Sequence, residues 1–186
     1  MDLRDLTTTP CRGLRLLAVV LVVSLTAACG GSDGGTGPSD DPGPVGAELT
    51  DAQVSALARA TTGWTYYKNR PDTLMRSAGS GHAEARVRTR FDATAATQLD
   101  AGGKVRAGAV FPDSSLIVKE LIIGSTLNRY AVMMKMPSSA NAAGGWLWAY
   151  YGPDGSPQIP ITSRGTSCVG CHASGIDHTR MNDSHP

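Results

Sequence analysis

The chain has 186 residues, and its 17 lysines and arginines against 16 aspartates and glutamates give a formal net charge of +1. Because the charges are balanced, we see no basic stripe that would neutralise phosphates, and we do not expect nucleic acid as a partner. The length suits one folded domain of ordinary size.

The N-terminal segment has the pattern of a bacterial secretion signal. Arg4, Arg12 and Arg15 precede an apolar run at 16–25, and small residues follow before Cys29. That run is about half as long as the ~20 residues that a membrane-spanning helix needs, so we predict that residues 1–28 are a signal peptide that is removed. The mature chain would then be formally neutral, because the signal carries three arginines and two aspartates.

The letters LTAAC at 25–29 have the form of a lipobox, in which a signal peptidase cuts before an acylated cysteine. We therefore expect lipid on Cys29 and an exported protein, periplasmic or in the cell envelope, that is anchored to a membrane. Ordinary cleavage, which would leave Cys29 as a spare thiol, is the alternative. Residues 29–46 are rich in Gly, Ser, Asp and Pro and cannot bury a core, so they predict a flexible tether before a domain at 47–186.

The folded part is predicted to be α+β, with an N-terminal helix packed on an antiparallel sheet of about four strands. Thr50 and Gln53 have the spacing of a capping box, and apolar residues at helical spacing, including Trp64 and Tyr67, extend the predicted helix over 51–68. A loop at 69–82 follows, and a short helix is expected at 92–100. The four strands are predicted at 85–91, 115–123, 129–136 and 146–151.

One motif near the C-terminus carries specific chemistry. Cys168 and Cys171 supply two thiols at the spacing that allows them to add across the two vinyl groups of haem, and His172 directly after them can reach the iron. A zinc or disulfide CxxC is the alternative, but zinc would need two further ligands, and the other cysteines are Cys11 and Cys29. We predict one covalent haem c, with His172 as the proximal ligand.

The sixth coordination position decides the function of such a haem. A filled position favours electron transfer, and an open one favours the binding of a small molecule. Candidate ligands are the histidines and methionines after the motif and the methionines of the third predicted strand: His178, Met181, His185, Met133, Met134 and Met136. Strand methionines are more often core residues than ligands, so an open or weakly filled position is expected.

Several segments, in this order before a C-terminal CxxCH, resemble the cytochrome P-460 and cytochrome c′-beta family. They are RVRTRF at 86–91, FPD at 111–113, IVKE at 117–120, VMMK at 132–135 and GWLWAY with a later DG at 145–155. Together they cover most of residues 64–177. The chain departs from the family pattern at Ser114, where a turn glycine is usual, and at Asp177-His178-Thr179 after the motif.

The resemblance implies either of two activities at the haem. In cytochrome P-460 a strand lysine is also cross-linked to the macrocycle and hydroxylamine is oxidised, whereas cytochrome c′-beta has no cross-link and binds nitric oxide or carbon monoxide. Lys119 is the first candidate for such a lysine, because strand alternation places it on one face with Ile117 and Leu121. It would otherwise extend to the sheet edge. Lys135 and Lys104 are weaker candidates.

We therefore expect an exported monohaem cytochrome that binds a diatomic gas or oxidises a small nitrogen compound. Whether it is an enzyme, a hydroxylamine-oxidising haem oxidoreductase, stays open at this point. An electron-transfer lipoprotein with a filled sixth position is the alternative. A redox partner protein and a homodimer are both compatible with the sequence.

Overall fold

The computed structural model describes residues 48–180. The predicted signal peptide, the tether with Cys29, and the candidate ligands Met181 and His185 lie outside the described residues. Within that range, no helix is long and apolar enough to cross a membrane.

The described chain is built around one antiparallel sheet with seven strands. The elements are α1 (Asp51–Ala58), β1 (Thr65–Tyr66), β2 (Leu74–Met75), β3 (Arg86–Phe91), α2 (Ala93–Ala96), β4 (Leu116–Ile123), β5 (Thr126–Lys135), β6 (Trp146–Tyr151), β7 (Pro157–Ile159) and α3 (Val169–His172). The strand order is β1-β3-β4-β5-β6-β7, and β2 also pairs with β3. Short 3-10 turns occupy Tyr67–Asn69 and Ile161–Ser163.

This architecture agrees with the predicted α+β class and antiparallel sheet, but four strands is too few. The four predicted strands correspond to β3, β4, β5 and β6. The prediction missed β1, β2 and β7, because strands of two or three residues are too short to show an alternating pattern. Similarly, the helix predicted at 92–100 is only the four residues of α2, with Asp92 as its N-cap.

The prediction of one helix over 51–68 is wrong at its C-terminal end. The capping box of Thr50 and Gln53 is present, but α1 ends at Ala58. The guanidinium of Arg90, from β3, donates hydrogen bonds to the carbonyl oxygens of Ala58 at 2.6 Å and Ala60 at 3.1 Å. Arg90 thus satisfies the helix's terminal acceptors from a distant strand, a contact that local spacing does not encode.

The sheet separates two hydrophobic clusters. On one face, Val54 and Ala58 of α1 pack against β4, β5 and β6. Trp64 packs at the edge of this cluster, whereas Tyr67 is buried in the other one, so these aromatic residues do not form the single helical stripe that was expected. The second face carries Ile117 and the loops before β4, together with the segment that contains the CxxCH motif.

Candidate functional site

The CxxCH motif begins at the N-cap of α3, a helix of a single turn. Cys168 is partly buried and Cys171 is exposed, and both are free thiols. Burial raises the pKa of the Cys168 thiol, with the nearby Cys171 as a smaller contribution in the same direction. Both sulfur-bearing residues and His172 line the same cavity.

The ring of His172 is held by the chain that follows it. Its Nδ1 lies 2.8 Å from the carbonyl oxygen of His178. A carbonyl only accepts, so Nδ1 must carry the proton, which leaves the Nε2 lone pair available to a metal. Burial lowers the pKa of His172 and thereby favours the neutral imidazole that iron binds.

A tight turn places that carbonyl. Ile176 and Thr179 exchange backbone hydrogen bonds of 2.9 and 2.8 Å, and the residues between them, Asp177 and His178, have φ of 43° and 64°. Two successive left-handed residues are typical of a type I′ turn. The departure from the family pattern at 177–179 is therefore the turn that positions His172. The other departure, Ser114, also has a left-handed φ, of 68°, which explains why glycine is usual there.

Trp148 of β6 packs against His172 from the sheet. The two ring centroids are 4.9 Å apart in a T-shaped arrangement, and the indole N–H of Trp148 donates to the carbonyl of Ala143 at 2.9 Å. Gly165 allows this approach, because a Cβ there would lie 2.5 Å from Trp148 Cδ1 and its φ is +62°. A side chain at 165 would separate the haem motif from the sheet.

A cavity lies between the motif, the loop at 77–82 and the second face of the sheet. It encloses about 970 Å³ of space outside protein atoms, including solvent at its mouth. One row of paired residues crosses its floor: Thr89, Lys119, Ala131 and Tyr150, on β3, β4, β5 and β6 in turn. Lys119 and Arg180 are the cationic side chains among its lining residues within 48–180, and no carboxylate of that range lines it.

Lys119 lies on the cavity side of β4, whereas its neighbour Glu120 pairs with Arg88 and Arg90 on the opposite face. Burial, with a smaller contribution from the charge of Arg180, lowers the pKa of Lys119 to about 8. In the part of the chain that the structure describes, its amine has no hydrogen-bond or ion-pair partner. The weaker candidates Lys104 and Lys135 do not line the cavity.

Of the predicted sixth ligands within the described range, only Met133 lines the cavity. Met134 and Met136 belong to the cluster on the opposite face. The His178 ring packs 6.4 Å from Trp148, away from the cavity lining. Sequence reasoning missed His82, which does line the cavity, because a loop pattern does not indicate where the loop lies on the fold.

These residues fit a haem group. Two thiols and a neutral imidazole border one mostly apolar cavity, which is the donor set for thioether attachment and iron ligation. The Thr89 hydroxyl is buried without a hydrogen-bond partner among the described residues, and it lines this cavity. Together with Lys119 and Arg180, it suits a ligand that carries oxygen atoms or negative charge.

A comparison with known protein families matches residues 90–179 to Cytochrome P460. Residues 90–179 of the chain therefore belong to the cytochrome P460 family. This confirms the resemblance and makes the protein a haem-binding cytochrome. The match runs from the end of β3 to Thr179, so it contains Lys119 and the CxxCH motif, while His82 and α1 precede it. A comparison of the chain with curated proteins found no match.

Proposed function

We propose that this cytochrome P460 carries one haem c, attached through Cys168 and Cys171 with His172 as proximal ligand, and binds nitric oxide or carbon monoxide at an open sixth position. The observation that supports this is the common cavity of the three motif residues and the second face of the sheet. When bound, haem supplies an iron that exchanges electrons and takes up a small ligand.

Each motif residue has a defined task in this proposal. The Cys168 and Cys171 thiols would each form one sulfur–carbon bond to a vinyl group, with the thiol hydrogen added to the other vinyl carbon, so that no oxidant is needed. His172 would present Nε2 to the iron, because its Nδ1 donates to the carbonyl of His178. Trp148 limits the rotation of the imidazole by packing against its ring.

The packing of the three strand methionines supports an open sixth coordination position. Met134 and Met136 pack in the hydrophobic cluster on the other face of the sheet. Met133, which lines the cavity, is itself packed in the cluster of the second face and is only 9 % exposed. A thioether committed to core packing is a poor candidate for moving to an iron.

Oxidation of a small nitrogen compound such as hydroxylamine is a second candidate, and the position of Lys119 favours it. A bond from its Nζ to a carbon of the macrocycle would replace one N–H and one C–H. That step releases two protons and two electrons, so it needs a two-electron oxidant of the peroxide class. Burial lowers the pKa of Lys119 to about 8, so the amine stays mostly protonated at pH 7 but has a larger neutral, nucleophilic fraction than an exposed lysine.

We also propose that the protein is exported and held to a membrane through lipid on Cys29, which the lipobox pattern supports. Electron transfer through a filled sixth position remains the competing function, because Met133 and His82 both line the cavity. It would require a redox partner protein, whereas a gas binder would not.

Absorption spectra of the reduced holoprotein, with and without carbon monoxide, test the proposed function. An open iron gives a large Soret change on adding carbon monoxide, and a filled one gives little. Met133→Leu serves as the matched variant, because it removes the thioether and keeps an apolar side chain of similar size. A small response in the wild type that becomes large in Met133→Leu would establish Met133 as ligand and contradict the open site.

A further inference from the structure

Among the described residues that line the cavity, His82 is the one imidazole that the haem motif does not use. It lies in the loop between β2 and β3, is partly buried, and borders the same cavity as His172 and Lys119. It precedes the region matched to the family, which begins at residue 90. The family match therefore gives no role to His82.

Tyr150 holds the His82 ring. The tyrosine Oη lies 2.8 Å from His82 Nδ1, and the two ring centroids are 5.9 Å apart. Tyr150 is the β6 member of the row that crosses the cavity floor, so a rigid strand fixes the position of a loop residue.

The hydrogen-bond partners decide which nitrogen of His82 is protonated. In the described part of the chain Nδ1 of His82 is the one hydrogen-bond partner of the Tyr150 hydroxyl, and because a phenol is a stronger donor than a neutral imidazole, the hydroxyl donates to Nδ1. Burial raises the pKa of Tyr150 to about 12, which keeps that proton in place. A neutral imidazole that accepts at Nδ1 carries its own proton on Nε2.

We propose that His82 donates a hydrogen bond from Nε2 to a negatively polarised atom of the small molecule bound in the cavity, with Tyr150 as its positioning residue. This deepens the proposed function and rests on its open iron position. It assigns the cavity to ligands with a hydrogen-bond acceptor, such as nitrogen oxides and nitrite, in preference to carbon monoxide.

Other features of the cavity support this ligand class. Among the described residues, Thr89 contributes a buried hydroxyl without a hydrogen-bond partner, and Lys119 contributes a positive charge that no ion pair neutralises. Burial and then the charge of Lys119 lower the pKa of His82 to about 3. The ring is therefore neutral under ordinary conditions, which leaves one N–H donor.

Equilibrium titrations of the holoprotein test the inference, with nitrite as the probe of the oxidised protein and carbon monoxide as the probe of the reduced one. His82→Ala should raise the Kd for nitrite about tenfold, the effect of losing one hydrogen bond to a charged acceptor. The Kd for carbon monoxide should change less than about twofold, because this ligand is a weak acceptor. Tyr150→Phe should raise the nitrite Kd by a smaller factor, about threefold, because His82 then loses its orientation.

His82→Gln tests whether an N–H donor at this position is sufficient. It also replaces His82→Ala in the test if the alanine variant does not incorporate haem. Its amide N–H should recover part of the nitrite affinity. Met75→Ala, an exposed change on the strand that precedes the loop, is the control and should leave both Kd values unchanged. Haem content and circular dichroism establish that each variant is folded.

Three outcomes separate this inference from the function on which it rests. A wild-type protein that binds neither nitrite nor carbon monoxide contradicts the open site itself. A wild type that binds both, with an unchanged nitrite Kd in His82→Ala, contradicts only the role of His82. A change from a six-coordinate low-spin to a five-coordinate spectrum in His82→Ala would show that His82 is an iron ligand, and would overturn the hydrogen-bond assignment.

Discussion

Lys135 Nζ lies 2.7 Å from Asp177 Oδ1 and 2.9 Å from Oδ2, and this ion pair joins β5 to the turn that follows the haem motif. Both side chains are only 12 % exposed. Asp177 Oδ2 also accepts the backbone N–H of Phe111 at 2.9 Å. One carboxylate therefore fixes the turn whose carbonyl, that of His178, orients His172.

We expect Asp177→Asn to lower the free energy of unfolding by about 2–4 kcal/mol, because it leaves the Lys135 ammonium largely buried without a counter-charge. Urea unfolding of the holoprotein measures this change. The double variant Asp177→Asn with Lys135→Met should recover much of the loss, since it removes the unpaired charge as well. Equal stability of the single and double variants would contradict the assignment of the loss to an unpaired Lys135 charge.

Cross-linking, if the protein oxidises hydroxylamine, should use Lys119. A protease digest of the holoprotein would then contain the haem peptide with Cys168 and Cys171 joined to a second peptide through Lys119, detected by mass spectrometry. Lys119→Leu should abolish both this species and hydroxylamine oxidation while haem stays attached. Lys104→Met is the control, because that lysine does not line the cavity and does not belong to the ion pair that fixes the turn after the haem motif. A digest with only the two thioether bonds would contradict the oxidase proposal.

Tyr151 should make stability depend on pH at the alkaline end. Burial, and next the hydrogen bond to Asp51 at 2.8 Å, raise the pKa of Tyr151 above its ordinary value near 10. Above about pH 10 the unfolded chain loses this proton and the native state keeps it, so stability falls as pH rises.

Tyr151→Phe should lower stability at pH 8 by about 1 kcal/mol, because it removes the hydrogen bond to Asp51. It should also make the decline between about pH 10 and 11 shallower than in wild type. Urea unfolding at these pH values measures both effects. Tyr66→Phe, on the two-residue β1, controls for the removal of a hydroxyl from a less buried tyrosine. Parallel alkaline slopes for Tyr151→Phe and wild type would refute the role of Tyr151.

Cys29→Ser should prevent acylation and leave the protein soluble or uncleaved, because no other cysteine follows a lipobox pattern. Labelling of cells with radioactive palmitate, followed by purification of the protein, measures this. Wild type should carry label and the variant none. Label that persists in Cys29→Ser would contradict the lipoprotein proposal, whereas the haem content should not depend on this residue.

The sequence alone was sufficient to predict the features that depend on the spacing of neighbouring residues. The CxxCH motif requires only five consecutive residues, and the strands that became β3, β4, β5 and β6 show their alternation within each run. The same alternation placed Lys119 on one face with Ile117, and this is the cavity face in the structure. The family resemblance depended on the order of these local segments, which explains why it survived two departures.

Only the tertiary structure decided where distant segments meet. Arg90, on a strand more than 30 residues away, caps the carbonyl of Ala58 at the end of α1, and helical spacing near Ala58 could not reveal that partner. His82 reaches the cavity because Tyr150, 68 residues later, holds its ring. The tautomer of His172 is likewise set by a carbonyl that a turn brings back to it. Each of these contacts depends on the packing of the whole chain. A buried polar group must form a hydrogen bond, and the fold determines which partner lies close enough to form it.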